Sequence, residues 1–168
     1  QTLAGFLEVL ADLLSDIRVK VISNEPRAYT SRTRERYDLV EISLIDSVGF
    51  SQAEPYPLDE NYAYTVEAIT EYMESLTPDG VLSITVWNKL SPPRNVLKLF
   101  STVVKSLEAQ GVDRPEDRLF TFNLLLSTAT VLVKNSPYTD EEVQTLRNFC
   151  RRMSFDVSYY PGISPREK

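Results

Sequence analysis

The sequence predicts an α/β domain, a sheet with helices on both faces. Helical-period apolar segments alternate with short β-branched runs through the first two-thirds of the chain, and one run, VLSITVW (Val81–Trp87), is apolar almost throughout. Alternation of the two periods argues for helices laid on a sheet. A near-continuous apolar strand is one covered on both sides.

Leu3, Phe6, Leu7, Leu10, Leu13 and Leu14 recur at spacings of three and four, one face of an amphipathic helix. Ile17 to Ile22 reads as a strand, and Asn24, Glu25 and Pro26 suit a turn and a helix start, with a short helix over 27–32. Tyr37 to Leu44 (YDLVEISL) reads as the next strand, followed by a long loop from Ile45 to Glu60 carrying two prolines. Loops of that length in compact domains are usually functional or mobile. From Asn61, the residues Tyr62, Val66, Ile69, Met73 and Leu76 mark a helix that stops at a turn, Thr77-Pro78-Asp79-Gly80. After the Val81–Trp87 strand, Ser91-Pro92-Pro93 opens a helix with Val96, Leu97, Phe100, Val103, Val104 and Leu107 on its apolar face. Leu119 to Leu125 and Thr128 to Val133 read as strands joined by a Leu126-Ser127 turn. Thr139, with Glu142 three residues on, is a capping box opening the last helix, and Phe155 to Tyr160 is the final strand. Residues 1–160 are expected to form a single domain, with 161–168 a tail.

Composition narrows the function classes. The chain of 168 residues has a net charge of −6, which argues against a nucleic-acid partner. The absence of histidine removes Ser-His-Asp triads and most zinc sites, and no metal is expected. The single cysteine, Cys150, sits at helical spacing with Leu146, Phe149 and Met153, so it reads as core. No apolar run approaches the roughly 18 residues of a membrane span, and a cytoplasmic location is expected. QTLAGFLEVLADLL reads as mid-protein sequence.

Ligands of open α/β sheets bind outside the carboxyl ends of the strands. Here those ends carry Glu25, the stretch from Ser43 to Gly49, and Trp87 to Leu90. The segments VISNEPRAYTSRTRERYDLVEISLIDSVG and AEPYPLDENYAYTVEAITEYMESLTPDGVLSITVW resemble the aminopropyltransferase (spermidine synthase) family. That family carries an acid thirteen positions before a Tyr/Phe-Asp strand start, as Glu25 precedes Asp38, then an Asp-Ser-Ser-Asp-Pro-type loop, a Glu-containing gate and a helix opening near a Tyr. The likeness is nearer, through NYAYTVEAI and LSITVW, to bacterial spermidine-synthase-like proteins whose other half is membrane-embedded.

The resemblance implies a partial Rossmann-like methyltransferase fold, with a mostly parallel sheet, an antiparallel C-terminal strand and helices on both faces. It implies S-adenosylmethionine or decarboxylated S-adenosylmethionine as cofactor and a small-molecule amine as substrate. Glu25, with Pro26 beside it, matches the family's adenine-contacting acid; a carboxylate suits an exocyclic amine donor. Asp46 matches the acid that holds the amine, and Glu54 and Tyr62 line the same site. Without the resemblance, Glu25 reads as a helix N-terminal acid and Asp46 as an Asx-turn residue.

The departures are specific. The family's proton-accepting acid falls on Ser43, its Gly after the adenine-contacting acid is Pro26, its loop Pro is Ser47, and Glu41 stands where an apolar strand residue is expected. Gly5 is the only glycine before Gly49, so the family's cofactor-cradling turn cannot be drawn, and its first two strands are expected to be missing. Two functions stay open: a group transferase, with this chain inactive alone, or a non-catalytic scaffold. A strand at Ile17–Ile22 without its neighbours would either pair directly with Tyr37–Leu44 or leave an exposed edge; exposed edges invite another chain, so self-association is expected.

Overall fold

The computed structural model describes residues 11–24, 26–44, 62–88, 94–124 and 128–164. Residues 11–15 are helical (α1). The following elements are α2 (Pro26–Thr30), β1 (Tyr37–Ser43), α3 (Val66–Glu74), β2 (Leu76–Trp87), α4 (Arg94–Ala109), β3 (Leu119–Leu124), β4 (Thr128–Lys134), α5 (Asp140–Met153) and β5 (Asp156–Tyr159). The five strands make one sheet in the order β1-β2-β4-β3-β5. β1 and β2 are parallel, and the other three neighbouring pairs are antiparallel. The sheet is thus more mixed than the sequence implies: β4 inserts between β2 and β3 and runs against both.

Strand-period alternation in β2 divides the sheet into two unlike faces. Leu82, Ile84 and Val86 are buried, and with Val131 and Val133 of β4 they meet Ile69, Tyr72 and Met73 of α3 and Leu99, Val103 and Leu107 of α4. This face is closed. Thr65 starts α3 as N-cap, accepting from the Ala68 amide at 3.2 Å. The hydroxyl of Thr70 on α3 bonds that of Ser106 on α4 at 2.9 Å, so the buried Ser106 keeps a partner where the helices meet.

Among the described residues, the second face carries α5, on the side of the sheet where β3 and β5 lie. α5 begins with the expected capping box: the Glu142 amide donates to Thr139 Oγ1 at 3.2 Å and the Thr139 amide to Glu142 Oε2 at 2.9 Å. Acids in its first turn and Arg151 and Arg152 in its last turn both suit the helix dipole. An aromatic cluster fixes it: Phe122 stacks on Phe155 at 5.3 Å, Phe149 meets Phe155 edge-on at 6.0 Å, and Arg147 lies 4.5 Å over the Tyr160 ring. Cys150 on α5 is fully buried, in keeping with a core thiol.

Lys134 at the end of β4 is also buried, and its Nζ donates to Glu142 Oε1 at 2.6 Å, with Asp79 Oδ1 at 3.7 Å. The ammonium, followed by the Thr139 amide, holds the Glu142 carboxyl below the ordinary glutamate value of 4.5. A depressed carboxylate stabilises fully above its unfolded pKa, and that stabilisation is lost as pH falls through the folded pKa. Glu142→Gln is therefore expected to cost about 1–2 kcal/mol at neutral pH, reduced from the buried-pair range because Glu142 is partly solvated. The difference from the parent should begin to shrink below the ordinary glutamate pKa and disappear as pH falls through the lowered folded-state value. Denaturant midpoints at pH 7 and pH 3 measure it.

Two sequence expectations are corrected. Residues 17–22 are not a strand: they form a turn followed by chain without regular structure, Ile17 is wholly exposed, and the Asp16 carboxylate clamps the Arg18 guanidinium at 2.6 Å. β-branched residues favour extended backbone, but a strand needs a neighbour to satisfy its ladder, and among the described residues none pairs there. Thr77–Gly80 is not a terminating turn but a wide bulge inside β2: Tyr37 pairs with Leu76 and Leu39 already with Val81. The bulge is pinned, since the Thr77 hydroxyl donates to Asp38 Oδ1 at 2.9 Å and the Ser136 hydroxyl to Asp79 Oδ1 at 2.7 Å. No helix among the described residues is long and apolar enough to cross a membrane.

Candidate functional site

β1 and β2 run parallel, so their carboxyl ends lie side by side, with Ser43 paired to Thr85. The chain leaves β1 abruptly: Leu44 adopts a left-handed φ of 50° while its amide still donates to the Thr85 carbonyl at 3.0 Å. A leucine in that region costs on the order of 1–2 kcal/mol, and such strain gathers at functional sites.

Ser43 is the last residue of β1 and is exposed. Its hydroxyl donates to Glu41 Oε1 at 2.7 Å. The two-residue period of a strand puts both side chains on one face, the face that α5 leaves open. Glu41 therefore does not occupy an apolar interior position as its place in the sequence implies. The same row continues across the sheet, Ser43 beside Thr85 and Thr85 beside Thr130, whose hydroxyls bond each other at 2.9 Å. The result is a polar strip near the carboxyl ends with a carboxylate at its margin.

Pro26 is the first residue of α2, consistent with its favoured early-helix position. α2 is held to α3 by a two-pronged ion pair, Arg27 Nε and Nη2 donating to the Glu71 carboxylate at 2.9–3.1 Å. Tyr62 opens a 3-10 turn, Tyr62–Tyr64, that leads into α3. Pro26 and Tyr62 are thus both carried by elements set against α3, while Ser43 sits on the sheet. Glu25, Asp46 and Glu54 lie outside the described residues, as does Gly49. Glu41 went unrecognised as a partner of Ser43, although the two-residue spacing was the available signal.

The architecture matches a solved spermidine synthase in complex with the transition state analogue AdoDATO, over 97% of this chain and 52% of that one, with a TM-score of 0.52 and 10% sequence identity. The fold is the spermidine-synthase fold. The likeness holds at the level of fold, and the chain spans about half the length of that synthase. A provisionally named rRNA-methylase from Clostridium thermocellum matches with a TM-score of 0.44 and 16% identity, over 80% of this chain and 68% of that one. No family model and no curated protein matches the sequence.

Whether the described residues could hold an S-adenosyl cofactor can be judged from their glycines, because close approach of backbone to such a ligand needs them. The described glycines are Gly80, Gly111 and Gly162. Gly80 lies in the β2 bulge beside Tyr37, at the opposite end of the strands from Ser43, Gly111 follows α4, and Gly162 follows β5. None reaches the carboxyl ends of β1 and β2. Among the described residues the cofactor has no cradle.

Proposed function

We propose that this chain is the acceptor side of a group transferase that uses S-adenosylmethionine or decarboxylated S-adenosylmethionine and acts on an amine or comparable nucleophile. The observation that carries the reading is the Glu41–Ser43 pair at the carboxyl end of β1. In group transfer of this kind the protein positions the nucleophile and receives its proton. Ser43 stands where the resemblance expects an acid, and a hydroxyl alone is a poor base. Glu41 supplies the missing carboxylate from two residues upstream. A carboxylate accepts several donors, so Glu41 can hold the Ser43 hydroxyl and an acceptor ammonium together. Asp46, Glu54 and Tyr62 would complete the amine site, and Glu25 with Pro26 would meet the adenine. Since the described residues offer no cradle, the chain alone is inactive in this reading.

Calorimetric titration with S-adenosylmethionine, its decarboxylated form and methylthioadenosine tests this, applied to the chain and to a longer polypeptide containing it. The expected result is no heat from the chain, and binding by the longer polypeptide that Glu25→Ala weakens about tenfold. Silence from both favours the second reading, a non-catalytic scaffold, for which the serine at position 43 is the supporting observation.

Self-association remains part of the proposal. β1 is a sheet edge among the described residues. A second copy pairing antiparallel about Val40 would set Glu41 opposite Leu39 rather than opposite another carboxylate, which like-charge repulsion would disfavour. A concentration-independent monomer in sedimentation equilibrium rejects it.

A further inference from the structure

Among the described residues, the sheet face beside α5 is half uncovered. Between β1 and α5 lies a groove of about 870 Å³. Its floor is apolar, built from Leu39, Val81 and Leu132 on the strands and from Leu146 and Phe149 on α5. Leu39 is 57% exposed, whereas Ile42, one residue out of phase on the same strand, is 6% exposed against the closed face. The contrast is in partners: Ile42 meets the α3–α4 layer and Leu39 meets solvent.

The rim is acidic. Asp38 and Glu41 edge the groove from β1, Asp79 from the bulge, and Glu141 and Glu142 from the first turn of α5. Among the described residues Lys134 is the one basic residue lining it, and its ammonium is already engaged by Glu142. A groove with an apolar floor and an excess of carboxylates selects an occupant that is apolar on one side and cationic on its flanks.

This chain's own amphipathic candidate does not fit. The segment before Ile17 has an apolar stripe, but its charged residues are Glu8, Asp12 and Asp16, with no Lys or Arg before Arg18. A second copy brings the same net charge of −6. We infer that the groove is a docking site for a basic amphipathic helix of a partner protein, its apolar stripe on Leu39, Leu132 and Phe149 and its lysines or arginines on the acidic rim. The helix would lie over β1 and β2 beside α5, as α3 and α4 lie on the opposite face. A helix is roughly 10–12 Å across, the scale of one such layer. Complementary charge of this kind sets specificity and salt dependence more than total affinity.

The test uses a fluorescent eighteen-residue peptide, helical, with leucines at three- and four-residue spacing and lysines on its flanks, against an otherwise identical peptide with glutamates on its flanks. Anisotropy titration of the full chain should show the lysine peptide binding at least tenfold more tightly. Leu39→Asp and Glu141→Lys should each weaken it about tenfold, and 0.5 M salt should do the same. Both substitutions are at exposed positions, so unchanged melting temperatures separate lost docking from lost folding. Equal binding of the two peptides, or no binding of either, overturns the proposal, as does binding indifferent to both substitutions. Dimerisation that excludes the peptide overturns it too, because it places a second copy on the face.

Discussion

Phe120→Ala is expected to destabilise the protein by about 4 kcal/mol and to loosen α5 from the sheet. Phe120 is fully buried on β3, with ring centroids 6.5 Å from both Phe122 and Tyr160. Through Phe122 it supports the stack on Phe155, which Phe149 of α5 meets edge-on. Removing the ring loses its transfer free energy and leaves a cavity under a helix whose hold on the sheet is concentrated there. Domains of this kind have roughly 5–15 kcal/mol in total, so the loss would be a large fraction. Denaturant midpoints give its size, and Cys150 gives its location. That thiol is fully buried on α5, and burial pushes its pKa up, so it should resist alkylation in the parent and react far sooner in the variant. A fall in midpoint without faster alkylation would mean that α5 is held chiefly by the Lys134–Glu142 pair.

Gly80→Ala is the second large effect, expected to cost about 2–3 kcal/mol. A Cβ at position 80 would stand 2.7 Å from the Tyr37 carbonyl oxygen, 3.0 Å from Leu76 Cβ and 3.1 Å from the Thr77 amide nitrogen. Two of these are backbone atoms, which cannot swing away. The Gly80 carbonyl also accepts from the Asn135 amide at 2.9 Å, so any shift that relieves the clash strains the approach to β4. Thermal unfolding measures the cost, and hydrogen exchange at the Tyr37 amide, which donates to Ser75, should rise selectively. Equal stability of variant and parent would show that the bulge re-forms without it.

Elements that carry their own start signals were legible in the sequence. The Thr139 capping box and the position of the Val81–Trp87 strand stand as read, but that strand is buried on one face only, and the stripe of α4 is shifted: Leu97 is exposed and Leu99 is buried. What depends on a neighbour was not legible. The 17–22 run has strand composition, but composition does not provide the ladder partner that makes a strand. Thr77-Pro78-Asp79-Gly80 has turn chemistry, and only the register of β1 against Leu76 and Val81 turns it into a bulge. The site divides the same way. Ser43 taken by itself is a base lost; the carboxylate facing it comes from Glu41, two residues upstream, by strand period.

The interleaving of β4 between β2 and β3 has a consequence for biogenesis. β3 and β4 are partners across a short connection, Leu124 with Thr128, and β1 with β2 forms an earlier unit bridged by α3. The seam joining the two units is β2 against β4, from Val81–Lys134 to Trp87–Thr128. Local pairs close cheaply and distant ones late. On a translating ribosome, the free side of β2 stays bare until Lys134, 47 residues after Trp87, has been made. At synthesis rates of roughly 5–20 residues per second that is an exposure of about 2–10 seconds. For that interval a strand that ends inside the sheet, between β1 and β4, is an open apolar edge, and chaperone demand on the nascent chain concentrates there.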